Sequence, residues 1–174
     1  APPSALGPGT WVYGAGMALA EGVRPYRDFL LLQPPGIAVL LAPFAALASV
    51  VGDADSMAAM RLGVVVLGGL NTVLVYRVAL RIGVPAAVCA SLFYAVWFPV
   101  VRVERTALLE PFVITAILVA LLATTAPRVT SRGLIIGGLV AGVLATTKLY
   151  SIVPLAIITA ALLITNGWRK AATF

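Results

Sequence analysis

Residues 21–36 read EGVRPYRDFLLLQPPG, and this stretch gathers Glu21, Arg24, Tyr26, Arg27, Asp28, Gln33 and three prolines into one short segment. The rest of the chain is a succession of apolar runs. Of its 174 residues, 61% are hydrophobic and only 10% are charged, against roughly 25% charged in soluble domains. The mean hydropathy is +1.08. These values describe an all-α polytopic integral membrane chain. Polar groups concentrated this way between apolar runs mark a site, because ionisable groups near membrane depth are costly, roughly 2.5–3.5 kcal/mol each at a helix centre.

Working outward, five runs are long enough to span: Met57–Tyr76, Pro85–Val101, Ala107–Thr125, Gly133–Thr147 and Tyr150–Thr165. Each span needs about 20 residues. The expected organisation is an external segment with juxtamembrane helices over residues 1–56, then a transmembrane bundle of about five spans over residues 57–174. A sixth run, Pro34–Val51, carries Pro43 in its middle and is ambiguous. If it does not cross, all six acids lie on one face with Arg102–Glu110 and Lys148. If it crosses, Arg24 and Arg27 change sides, and the Lys and Arg count alone favours that reading. Pro43 and the short link Gly52–Ser56 favour a helix at the interface. The chain opens on APPSALGPG without Met and closes on NGWRKAATF just past an apolar run, so it reads as a fragment.

The net charge of +6 does not point to nucleic acid, because the basic residues sit singly or in pairs between apolar runs. Cys89 is expected to be a small buried hydrophobe. The chain has no His, so proton transfer would fall to a carboxylate. Gly133, Gly137, Gly138 and Gly142 share one helix at spacings that let backbones approach in lipid. Trp11 and Tyr13 fit an interfacial aromatic belt. Asp53 and Asp55 read as loop and capping residues ahead of the next helix.

Four clusters could carry chemistry: Arg24-Pro-Tyr26-Arg27-Asp28, Gln33-Pro-Pro-Gly36, Arg102-Val-Glu104-Arg105 through Glu110-Pro111, and Thr146-Thr147-Lys148-Leu-Tyr150. Lys148 stands alone at the join of two apolar runs. It is either a snorkelling lysine or a point charge for a phosphate, with the two threonine hydroxyls in support. Glu110 is either a carboxylate placed favourably at a helix N-terminus or part of the site. Arg102, Glu104 and Arg105 could form a solvated ion-pair cluster of small energetic value. Asp28 and Arg27 could be a simple turn salt bridge.

The order of these clusters resembles the GT-C membrane glycosyltransferases that use polyprenyl-phosphate donors. Within them it is most similar to the bacterial branch related to the lipid A aminoarabinose transferase and the protein O-mannosyltransferases. The matching pieces are Gly9-Thr-Trp-Val-Tyr13, Gly22-Val-Arg-Pro-Tyr-Arg-Asp-Phe29, Gln33-Pro-Pro-Gly36, Leu109-Glu110-Pro111 and Thr147-Lys148. They run from about Gly7 to Trp168. The resemblance implies a GT-C-like helix bundle and makes Pro34–Val51 a juxtamembrane helix of the first external loop. It also implies a lipid-phosphate sugar donor with Lys148 near its phosphate. Two departures stand out: relatives have an acid where this chain has Gly7, and a basic residue where it has Gln33.

The expected reaction moves a sugar from a polyprenyl phosphate to an acceptor hydroxyl on a glycan, lipid or protein, at the outer face of a bacterial plasma membrane. Asp28, Glu104 and Glu110 are the carboxylates that could take the acceptor proton, with Asp28 preferred and a base upstream of Ala1 as the alternative. Lys148, Arg24 and Arg27 suit the donor phosphate, and Tyr26, Gln33, Arg102 and Arg105 would line the site. No cofactor is implied with certainty, and a divalent cation is left open; membrane lipid is the surrounding partner. The competing readings are a secondary transporter, which would show inverted repeats and mid-membrane broken helices, and a non-catalytic assembly protein of the same fold.

Overall fold

The computed structural model describes residues 10–105, 109–126 and 128–174. Gly7 and Ala107, and the side chains of Trp11 and Arg105, lie outside the described residues. In order come α1 (Thr10–Ala20), α2 (Gly36–Val51), α3 (Asp53–Ala79), α4 (Val84–Val96), α5 (Phe98–Arg105), α6 (Glu110–Thr124), α7 (Ser131–Ala145), a 3-10 turn (Leu149–Ser151), α8 (Ile152–Asn166) and α9 (Trp168–Ala171). An all-helical chain is what lipid demands, since a helix satisfies its own backbone donors and acceptors.

Among the described residues two stretches are long and apolar enough to cross a membrane, Asp53–Ala79 and Leu149–Asn166. A third span is available if α4 and α5 act together, but they are bent by 60°. The bend sits at Trp97, whose backbone is extended. Pro99 explains it: a proline lacks the N–H that would continue α4, and its ring collides with the preceding turn. The apolar runs expected to give spans at Ala107–Thr125 and Gly133–Thr147 form α6 and α7, each of 15 residues, below the usual length of about 20. Helix α2 has 16 residues with Pro43 inside it. Helix α3 already begins at Asp53, within the segment read as external, with Asp53 and Asp55 in its first turn. Carboxylates there favour the helix dipole.

The first three helices pack around Tyr13, Ile37, Leu41, Met60 and Val64. Gly16 lets α1 close on α2, since an added Cβ would stand 3.2 Å from that of Leu41. Tyr13 is 2% exposed, so it is core rather than interfacial belt. Its hydroxyl donates to Ser56 Oγ at 2.7 Å, and Ser56 donates to the Phe44 carbonyl. That chain of hydrogen bonds joins α1, α2 and α3. Between α6 and α7 a Cβ on Gly137 would lie 2.6 Å from that of Ala123, so Gly137 serves close helix packing, while Gly142 has open space beside it. Cys89 is exposed rather than buried.

Candidate functional site

The segment 24–29 folds as a closed turn. The Arg24 N–H donates to Asp28 Oδ2 at 2.8 Å, and the Asp28 N–H donates back to the Arg24 carbonyl at 2.9 Å. Tyr26 sits at the tip with φ +66°, a left-handed conformation uncommon for a bulky residue. Its N–H donates to the Phe29 carbonyl at 2.8 Å, and its hydroxyl donates to the Gln33 carbonyl at 2.6 Å. Arg27 Nε lies 3.7 Å from Asp28 Oδ1. The Asp28 carboxylate therefore holds the turn, while Arg24 and Arg27 remain exposed.

The turn leads into Pro34-Pro35 and then α2. Gly36 N–H donates to the Thr146 carbonyl at 3.2 Å. A Cβ at Gly36 would stand 2.0 Å from Thr146 Oγ1 and 2.8 Å from its backbone, so only glycine admits this approach. The PPG step thus fixes the residues that precede Lys148. Lys148 is in extended conformation just before the 3-10 turn, with Thr147 fully buried beside it. Ser151 Oγ returns a hydrogen bond to the Lys148 carbonyl at 2.6 Å.

Lys148 Nζ pairs with Glu110 Oε1 and lies 4.6 Å from the centre of the Tyr150 ring. Burial alone would lower the Lys148 pKa, but the Glu110 carboxylate and the Tyr150 hydroxyl outweigh it and hold the pKa above the ordinary lysine value. The other carboxylate oxygen, Glu110 Oε2, is buried and has no hydrogen-bond partner among the described residues. Glu110 comes from the first turn of α6, where Pro111 is tolerated because that turn has no intrahelical N–H bond to lose.

Glu104, on α5, accepts a hydrogen bond from Tyr94 at 2.8 Å. It lies over α3 where Gly68 leaves the backbone bare; a Cβ there would stand 2.6 Å from its Cδ. Asn71, one turn further along α3, donates to the Pro111 carbonyl at 3.0 Å. The Thr115 hydroxyl lies 2.7 Å from Asn71 Oδ1 and 2.8 Å from the same carbonyl. Asn71 and Thr115 are buried. Arg102 is exposed on α5.

All four sequence clusters are thus linked by direct contacts. Tyr26 reaches Gln33, Gly36 reaches Thr146, and Lys148 reaches Glu110. Glu104 is tied to α3 and α4 and Asp28 to its own turn. Asn71, Tyr94, Gly68 and Thr115 did not figure in the sequence reading. Asn71 carried a signal, an amide in the middle of an apolar run; Tyr94 and Gly68 carried none. At the other end of α6, Arg81 donates to Thr125 Oγ1 at 2.5 Å and to the Leu122 carbonyl at 3.0 Å, a cation at a helix C-terminus. Among the described residues no three His, Cys, Asp or Glu side chains come together as a metal site would need.

The fold and these contacts define a polytopic helical membrane protein with a charged site where helix ends meet. The model of the dolichyl-phosphate-mannose-protein mannosyltransferase family matches residues 32–174, and the chain belongs to that family. It is accordingly an integral membrane glycosyltransferase of the GT-C type. Comparisons with curated proteins and with solved structures return no match.

Proposed function

We propose that the protein transfers a sugar from a polyprenyl-phosphate donor to an acceptor hydroxyl on a glycan, lipid or protein, at the outer face of a bacterial plasma membrane. Lys148 meets the donor phosphate. The observation that carries this is its placement: a lysine whose side chain is only 17% exposed, fixed by the Gly36–Thr146 contact at the start of an apolar span. A snorkelling lysine would extend into water; this one turns to Glu110 and Tyr150. Arg24 and Arg27, exposed on the neighbouring turn, supply further positive charge to the departing phosphate. Residues 1–56 form the external segment of this arrangement, residues 57–174 the bundle, and Tyr26, Gln33 and Arg102 the walls of the site. One of the three carboxylates, Asp28, Glu104 or Glu110, takes the acceptor proton.

The test is transfer from a polyprenyl-phosphate sugar by purified protein in lipid. Lys148→Ala is expected to lower transfer per folded protein by about a thousandfold, the scale of removing one charge-stabilising group, with the helical content retained and a modest fall in melting temperature from the unpaired Glu110. Full activity in that variant would refute the assignment.

A further inference from the structure

The two oxygens of Glu110 differ. Oε1 holds Lys148, while Oε2 is buried with no partner among the described residues. Leaving such an acceptor unmade typically costs about 1–3 kcal/mol, more for a charged group. The pair also leaves Lys148 neutralised: with a carboxylate on Nζ, the ammonium offers little net charge to an arriving phosphate. A phosphate and a carboxylate competing for one ammonium repel each other. The Tyr150 ring, 4.6 Å from Nζ, would continue to hold the lysine once the carboxylate had moved.

We propose that Glu110 occupies, in the donor-free protein, the position on Lys148 that the donor phosphate takes, and that the displaced carboxylate is the base for the acceptor hydroxyl. This rests on the reading of Lys148 as the phosphate cation. Displacement removes a cation from Glu110 and brings an anion near it, and both changes make it more basic. In the transfer the acceptor hydroxyl gives its proton to Glu110 as its oxygen bonds to the sugar C1. The bond from C1 to the phosphate oxygen breaks, and the electron pair leaves with the phosphate, whose charge Lys148 meets. Donor binding therefore precedes activation of the acceptor.

Polyprenyl phosphate lacking a sugar, titrated against the protein in nanodiscs, separates the alternatives. Glu110→Gln keeps the shape and removes the competing charge, so binding is expected to tighten about tenfold while transfer from the sugar-bearing donor is lost. Carbodiimide labelling of the wild-type protein gives a second readout that does not depend on how the variant folds: polyprenyl phosphate should raise modification of Glu110 several-fold. Weaker or unchanged binding by Glu110→Gln, or labelling that falls or stays level, overturns the exchange. Tighter binding with transfer retained overturns the base assignment. If the wild type binds no polyprenyl phosphate and Lys148→Ala changes nothing, the donor reading itself fails and takes this proposal with it.

Discussion

Two polar clusters in this bundle have opposite characters. Around Asn71, the amide, the Thr115 hydroxyl and the Pro111 carbonyl satisfy one another between α3 and α6. Around Lys148, the Glu110 pair leaves one carboxylate oxygen without a partner among the described residues. The first cluster is closed and contributes to packing. The second is charged, incomplete and located at helix ends. In an apolar surround a polar group is retained either because it is satisfied internally or because something else satisfies it. On that criterion the Asn71 cluster is architecture, and the Lys148 cluster is the one we propose takes a ligand.

The contrast can be broken most strongly at Gly36. Gly36→Ala must move Thr146, whose backbone would stand 2.8 Å from the new Cβ. Displacing the neighbouring Lys148 by about 1 Å should cost transfer on the order of a hundredfold, more than its effect on the melting temperature would suggest. Transfer rates normalised to folded protein check this, and near-normal transfer would mean that the PPG step does not position the site.

A smaller effect is expected in the closed cluster. Asn71→Ala removes the donor to the Pro111 carbonyl and one of the two acceptors of the Thr115 hydroxyl, and should destabilise the bundle by about 1–3 kcal/mol. The surviving folded protein should transfer at close to the normal rate. Thermal denaturation in detergent with a parallel transfer assay distinguishes this from a role in the site. A loss of transfer without loss of stability would place Asn71 in the machinery.

The smallest change is expected at Asp28. Its carboxylate accepts the Arg24 N–H, so Asp28→Asn keeps an acceptor in place and should cost below about 1 kcal/mol. Transfer should fall by less than about tenfold if Glu110 is the base. A collapse of transfer in Asp28→Asn, with Glu110→Gln active, would restore Asp28 to that role.

Much of the site could be read from the residues because isolated charges in apolar sequence have few structural explanations. Lys148 and the Glu110-Pro111 pair were visible for that reason, and so was the PPG step. Their mutual contact was not visible, since it joins residues 38 positions apart and depends on how α6, α7 and α8 end together. Tyr13 was misread because an aromatic near a span end has the same sequence signature in a belt and in a core; its burial and its hydrogen bond to Ser56 separate them. The run Ala107–Thr125 is longer than the helix it gives, Glu110–Thr124, because apolar composition does not mark where a helix starts, whereas Gly133–Thr147 has the length of α7. The bend at Trp97 had a signal in Pro99, but its 60° magnitude is a tertiary property. Asp28 attracted a catalytic reading through its neighbours, while its observed bonds are local to the turn.

The most direct measurement is the affinity of polyprenyl phosphate for the wild type and for Lys148→Ala in nanodiscs, with Arg81→Ala as a cation removed from the other end of α6. The expected result is saturable binding by the wild type and by Arg81→Ala, and a loss of at least about tenfold in Lys148→Ala. Equal binding by all three would contradict the assignment of Lys148 to the donor phosphate.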